Sequence, residues 1–357
     1  MADLPTGQAN YTAYSYDLTQ PKVFGPQSRA QEWFAKPFLK SLLTPYLERV
    51  SFKVKKKRAT KKKIIILNCH DYLYGHTLLK LLNAYRHLHH DSSYDLVVIV
   101  PPFLEWLVPA GVAEIWVVDL PLSKTLHYYP FLEQKIKTEL RRFKEVELSP
   151  AYSHPVDFKI EEYTRVKPYM ATPSAPRITF IWREDRPWFF SFPISYIARK
   201  LKLLYPLVWW QNVKIRRLFS LLKKQLPEYT FTVAGLGTST AFPKWIDDQR
   251  VESFTPSREK KLCQVYANSQ LVIGVHGSSM LLPTAHSHMF IDLLPSDRVG
   301  NFAQDVLFQL KPEDSDPRLQ AFKYRFLPIS LSVAEVAQLS LSMVRDYPKA
   351  VQYFINP

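Results

Sequence analysis

Cysteine is nearly absent: the 357 residues hold two, Cys69 and Cys263. Two thiols cannot build a disulfide framework or a zinc site, so a reducing compartment is the simplest setting. Glycine is scarce as well, 9 against 28 proline, which predicts stiff rather than floppy loops. No apolar run reaches the about 18 residues that a membrane-spanning helix needs. The first twenty residues, MADLPTGQANYTAYSYDLTQ, lack the charged-then-apolar pattern of a secretory signal. A cytoplasmic protein, able to sit peripherally on a membrane, is the expectation. Acidic residues are outnumbered 32 to 47, for a net charge of +15. That imbalance points to an anionic partner: a nucleotide, a phosphorylated substrate, a membrane surface or nucleic acid.

What is present is enough apolar and aromatic material, 46% and 14%, for real cores. The length suggests two domains of ordinary size. The chain is organised around Gln270–Leu294, QLVIGVHGSSMLLPTAHSHMFIDLL. Gln270 to Val275 reads as a buried parallel strand. His276-Gly277-Ser278-Ser279 breaks it, a short helix with Pro283 in its first turn follows, and Met289 to Leu294 is a second buried strand carrying Asp292. The break falls where open α/β sheets place ligands. Gly277 allows close backbone approach. The N–H groups of Ser278, Ser279 and Met280 are expected to point out of a helix start, where phosphate is favoured, with His276 at the rim. The plainer reading of the same residues is a capped helix with a buried histidine.

Residues 1–28 are polar and read as an irregular arm. Arg29 to Val50 has apolar residues at helical spacing, interrupted by Pro37 and Pro45. Lys53 to Lys63, KVKKKRATKKK, carries eight basic residues in eleven positions. It reads as a solvated loop, with anionic lipid headgroups as the sharper alternative. From Ile64 onward the pattern is strand, helix, strand, helix, strand, ending at Asp119, which is a Rossmann-like sequence of elements. No complete GxGxxG follows its first strand, so the usual dinucleotide fingerprint is missing. Residues 144–176 show no clear period and read as the connection. A second such series starts at Arg177 and includes a long basic helix, Tyr205 to Leu226, a strand ending at Gly235-Leu236-Gly237, a short strand Val251 to Phe254, and a helix capped by Ser257. Ser332 and Glu335 form a capping box that opens a closing helix.

Ile178–Trp188 (ITFIWREDRPW), Ala234–Gly237 (AGLG) and Val272–Pro295 (VIGVHGSSMLLPTAHSHMFIDLLP) together resemble the donor-binding half of GT-B glycosyltransferases. The HGSS segment is similar to the HGAG segment of the xylosyl- and arabinosyltransferase-like family, with Ser-Ser for Ala-Gly and Asp292 for a glutamate. The end of the Ile178–Trp188 strand is similar to that of α1,6-fucosyltransferase-like proteins. Ile64 to Asp119 resembles the heptosyltransferases in outline. The resemblance implies two Rossmann-like domains facing a cleft, with a C-terminal helix able to cross back to the first. It divides the chain into an arm with the amphipathic helix and basic run (1–62), an acceptor domain (63–150), a connection (151–176), a nucleotide-sugar domain (177–330) and the closing helix (331–357).

It also implies a metal-independent transfer of sugar from a nucleotide-sugar donor to a hydroxyl of a glycan or lipid-linked acceptor, with no further cofactor. Inversion is expected, because one base is the simpler demand. Arg183 and Arg186 could clamp the diphosphate, unless Glu184 and Asp185 take them up as salt bridges. Gly235 and Gly237 suit a loop beside the nucleotide. Asp292 is either a buried polar partner or the ribose carboxylate, with Asp297 and Arg298 as a second option. The loop after the first strand offers His70, Asp71 and His76 for the base. Asp71 is preferred and His70 held in reserve, against a capping role for Asp71. The His87, His89, His90 cluster beside Asp91 reads as helix-end chemistry rather than a metal site, and Glu313-Asp314-Ser315-Asp316 as a loop rather than a metal-binding motif. The rivals are a nucleotide-sugar epimerase of the same fold and a non-catalytic anion or nucleic-acid binder using Trp209-Trp210 and the basic run. No nucleic-acid motif is present, so nucleic acid is not expected as partner.

Overall fold

Three sheets organise the chain in a computed structural model, which describes residues 2–6, 12–90, 93–151, 158–169, 176–189, 197–198, 200–201, 203–304 and 317–355. The first is small and antiparallel: β1 (Ala2–Thr6), β2 (Thr12–Asp17) and β3 (Lys22–Phe24). This corrects the irregular arm expected there. Tyr14 and Tyr16 alternate with Ser15, so period two places both rings on one face, where they are buried against Ala35 and Leu39. Those two residues come from a turn, Gln31–Ala35, and a helix, Lys36–Leu43, with Pro37 harmless in its first turn. Tyr16 meets Phe38 edge to face with ring centroids 5.6 Å apart.

The chain divides into two compact units, Met1–Tyr163 and Thr164–Pro357. The main sheet of the first unit contains β4 (Ser51–Lys56), β5 (Lys63–Asn68), β6 (Asp95–Val100), β7 (Glu114–Asp119) and β8 (Glu145–Leu148), in the order β4-β7-β6-β5-β8. All pairs are parallel except β4 with β7. The basic run is therefore not a loop over its whole length. Its first third is an edge strand in which Phe52 and Val54 face the core and the lysines alternate outward. Lysine on an exposed edge also blocks strand addition. Part of the charge is already paired: Lys55 with Glu105, Arg58 with Asp95 and Lys63 with Glu145.

The second unit carries a six-stranded, wholly parallel sheet: β9 (Arg177–Arg183), β10 (Thr230–Leu236), β11 (Asp247–Val251), β12 (Leu271–Val275), β13 (Met289–Leu294) and β14 (Tyr324–Pro328). Numbered in chain order, the strands lie 3-2-1-4-5-6. The order reverses between β9 and β12, and such a reversal opens a crevice at the carboxyl ends of the two strands. The short strand expected at Val251–Phe254 lies earlier, because the edge segment DDQRV pairs through its backbone without an apolar run to announce it. The helix Pro256–Ala267 is capped by Thr255, whose hydroxyl accepts from Arg258 N, and not by Ser257; Pro256 fills the first helical position. The capping box at Ser332 and Glu335 is formed in both directions, at 2.7 and 3.2 Å. The closing helix, Val333–Ile355, buries Val336, Ala337, Met343 and Val344 in the same core as Ile215, Leu218, Phe219 and Leu222 of the helix Tyr205–Gln225. Its apolar face thus belongs to the second unit.

Candidate anion site at the strand reversal of the second unit

Arg183 is the last residue of β9. Beyond it the chain turns sharply, and the turn is pinned from behind by Gln211 of the helix Tyr205–Gln225. The Gln211 amide donates to the Arg183 carbonyl at 3.0 Å and accepts from the Trp188 N–H at 2.8 Å. Gln211 is fully buried, so both bonds are shielded from water. Sequence reasoning missed it, because a glutamine in a helix carries no positional signal. Arg183 meets Asp185 with a two-pronged ion pair, at 2.9 and 2.5 Å, and reaches the His276 carbonyl at 3.5 Å. The salt-bridge alternative therefore holds for Arg183 and Asp185. It does not hold for the other two: Glu184 accepts from Ser239 N and Oγ, and Arg186 donates to the His276 carbonyl at 3.2 Å.

His276 follows β12 and is not at the rim. Its ring is buried and its Nδ1 lies 2.5 Å from Asp292 Oδ2 on β13. Asp292 is fully buried, so it is the partner of His276 and cannot touch a ribose. Gly277 follows at φ +143°. A Cβ there would lie 2.7 Å from Arg183 Nη1 and 3.5 Å from Arg186 Nη1. Glycine is thus favoured both by the backbone and by the Arg183 guanidinium.

The helix start is weaker than the sequence suggested. Ser278–Met280 is a single 3-10 turn, and the following helix, Leu281–His286, has six residues. The Met280 N–H is already bonded to the Gly277 carbonyl at 2.8 Å, and its side chain is buried over Gly274, so Met280 offers a ligand nothing. The glycines of the neighbouring strand also serve packing. A Cβ on Gly235 would collide with the Trp182 carbonyl across the β9–β10 pair, and one on Gly237 (φ +113°) with the Glu184 carboxylate. Gly237 is therefore what lets Glu184 stand at the carboxyl end of the sheet.

Electrostatics marks the place. Arg186 is half-buried, and among the described residues it has no ion-pair partner. Burial first, then the charges of Arg183 and Arg298, push its pKa down to about 10, only partly offset by Asp185 and Asp297. Arg298, beyond β13, has its Nε buried without a hydrogen bond; Asp297 is 3.4 Å away. The Ser279 hydroxyl is likewise buried without a partner. Arg183 and Arg186 meet at the His276 carbonyl where the sheet order reverses, and the charge of Arg298 reaches Arg186 there. A buried cation of this kind is relieved by an anion, and guanidinium forks suit phosphate.

The first unit holds a second cluster, at the end of β5. Asp71 is buried and fully engaged: Oδ1 accepts from Leu73 N at 3.1 Å and lies 3.2 Å from His76 Nδ1, and Oδ2 lies 3.0 Å from Lys80 Nζ. Burial works to raise its pKa, but His76 and Lys80 together hold it below the ordinary value. A carboxylate so held is a poor base; nor does Asp71 cap the following helix as the alternative had it, since Leu73 is the N-cap and Asp71 only closes the turn onto Leu73 N. Both ring nitrogens of His70 are buried without a hydrogen-bond partner, and burial drives its pKa down to about 4. Folded His70 is then neutral where unfolded His70 takes up a proton. Stability should fall as pH drops from about 6.5 toward about 4, by on the order of 3 kcal/mol. His70→Phe should flatten urea stability across that window; an unchanged slope would show that His70 titrates normally.

Two histidines of the Asn83–His90 helix have structural partners: His87 Nε2 lies 2.8 Å from Ser149 Oγ, and His89 packs on Tyr85 with centroids 4.0 Å apart. Asp91 and Glu313–Asp316 lie outside the described residues.

No protein family matches the chain, and no curated protein does. Among solved structures the chain is similar to a protein titled "Spinosyn Rhamnosyltransferase SpnG complexed with thymidine diphosphate". The identity is 13%, the coverage 83% of this chain and 73% of that one, and the TM-score 0.27. A likeness that distant carries no argument about this chain.

Proposed function

We propose that the protein is a glycosyltransferase that takes its sugar from a nucleotide-sugar donor, with the donor diphosphate held at the strand reversal of the second unit. The observation that carries this reading is Arg186, a half-buried guanidinium with no ion pair among the described residues, beside the charges of Arg183 and Arg298 at the carboxyl edge of β9 and β12. Glycosyl transfer makes a leaving diphosphate, and its charge must be met as it develops. Arg186, Arg298 and the Ser279 hydroxyl can meet it without a bound metal, while Arg183, already paired with Asp185, adds only its charge. Glu184, fixed by Ser239 through one oxygen, keeps the other for a hydroxyl of the nucleoside.

The acceptor proton is assigned to the pair Asp71–His76 rather than to Asp71 or His70 alone. Asp71 Oδ1, 3.2 Å from His76 Nδ1, orients the ring for that role. One such base fits inversion and a hydroxyl acceptor, a glycan or a lipid-linked sugar.

Thermal unfolding of the full chain tests the donor site. Uridine, guanosine, cytidine and thymidine diphosphates are compared with pyrophosphate, with and without magnesium. A ligand at about a hundred times its dissociation constant should add about 2.7 kcal/mol. At about 2–4 °C per kcal/mol, that is a clear rise in melting temperature. One nucleoside diphosphate should outperform pyrophosphate without magnesium. Equal shifts by pyrophosphate and every nucleotide would reduce the site to a general anion pocket, and no shift at all would overturn the reading.

A further inference from the structure

Between Asp185 and Glu228 the sequence holds nine basic residues and no acidic one. Most of that stretch is the helix Tyr205–Gln225 and its approach. The helix buries Val208, Gln211, Ile215, Leu218 and Leu222. What remains outside repeats at helical spacing: Tyr205, Trp209 and Trp210 at one end, Arg216 and Arg217 in the middle, Lys223 and Lys224 at the other end. Tyr205, Trp209 and Trp210 are 61%, 53% and 44% exposed, and the preceding Ile197, Leu201 and Leu203 are 54% to 62% exposed. Large apolar side chains grouped this way on a surface mark a contact.

We propose that this face docks the protein on an anionic phospholipid surface. Trp and Tyr favour the headgroup level of a bilayer, with cations along the same helix face reaching acidic headgroups. The aliphatic residues decide between lipid and nucleic acid. Ile197, Leu201 and Leu203 have no stacking value for bases, but they insert among acyl chains. Aromatic anchors decide between this face and the Lys53–Lys63 run, which has none and in which part of the charge is paired. There Lys55, Arg58 and Lys63 are paired with carboxylates. On the helix, among the described residues, no carboxylate pairs with Arg216, Arg217, Lys223 or Lys224, and Lys223 lies over the Trp245 ring at 4.8 Å. The proposal does not depend on the donor site.

Flotation of the full chain with vesicles tests it, using phosphatidylcholine alone and phosphatidylcholine mixed with phosphatidylglycerol. The protein should float only with the mixed vesicles and be released by high salt. Arg216→Glu combined with Arg217→Glu should lower partitioning roughly thirtyfold or more. Trp209→Ser combined with Trp210→Ser should also weaken binding and remove a blue shift of tryptophan fluorescence. Lys53→Glu combined with Lys57→Glu should change it far less. The four helix positions are exposed, so melting curves should match the wild type; if one double variant fails to fold, the other carries the test. Three results overturn the proposal: no flotation with anionic vesicles, binding insensitive to both helix variants, or binding of polyuridylate in place of vesicles.

Discussion

Arg186→Met should weaken nucleoside-diphosphate binding tenfold or more and leave the unliganded protein as stable as before, or more stable by about 1 kcal/mol. The two effects have opposite signs for one physical reason. The guanidinium is half-buried, faces two like charges, and has one backbone hydrogen bond, to the His276 carbonyl. Its pKa is lowered to about 10, so the folded state disfavours the charged form. The associated loss of stability is present at all pH below about 10 and fades only as pH rises through that value. Methionine keeps most of the packing and removes the cost. With a diphosphate bound, the same charge is matched, and a charge-assisted bond contributes about 1.5–3 kcal/mol, so affinity should drop tenfold to more than a hundredfold. Arg186→Lys keeps the charge but loses the fork, and should fall between. Calorimetric titration with the best nucleotide from the thermal panel, alongside urea unfolding of each variant, reads both signs. If Arg186→Met destabilised the protein by more than about 2 kcal/mol, the group would be a structural strut and not a waiting ligand contact.

The site was legible in the sequence in proportion to how local its causes are. Arg183, Arg186 and Gly277 stand next to strand ends that apolar runs announce, and the structure brings all three to one place. Arg298 was named only as an alternative beside Asp292, because its part depends on where the segment after β13 folds back. Gln211, more than twenty residues from the turn it pins, left no trace in any motif. The roles of His276 and Met280 were misplaced for a shared reason. A strand-turn-helix pattern says where the chain bends but not which atoms stay free. Here one tight turn uses the Met280 N–H internally and sends the His276 ring inward.

The fold shows the same division. Buried parallel strands such as β12 and β13 read as continuous apolar runs, and the two Rossmann-like series followed from them. Edge strands do not read that way. β4 and β11 are held by backbone pairing and alternate residues, so lysine and aspartate can occupy them freely. That is why a basic loop was expected where the first sheet has an edge. At Asp71 the sequence could supply a carboxylate at the right loop. It could not show that Lys80, two turns into the following helix, would fold back to hold it charged.

Asp292→Ala should be the most damaging single substitution in the second unit, costing about 3–5 kcal/mol. Asp292 sits within β13, fully buried, with its Oδ2 on His276 Nδ1. Removing the carboxylate leaves a buried imidazole without that partner and opens a cavity between two central strands. On a typical stability of 5–15 kcal/mol, such a loss threatens folding at physiological temperature. Asp292→Asn keeps the shape and an acceptor oxygen, and should cost about 1–2 kcal/mol. The double variant His276→Phe with Asp292→Leu replaces the pair by apolar groups, and should recover most of the stability lost by Asp292→Ala. Donor affinity should not recover with it. The bond to Asp292 orients the segment whose carbonyl gathers Arg183 and Arg186, and phenylalanine makes no such bond. Urea midpoints of the single and double variants, read beside the nucleotide-induced thermal shift, separate the two roles. Restored stability with normal nucleotide binding would mean that the His276–Asp292 pair serves the core alone. A cost for Asp292→Ala below about 1 kcal/mol would mean that the buried pair is not what holds the turn.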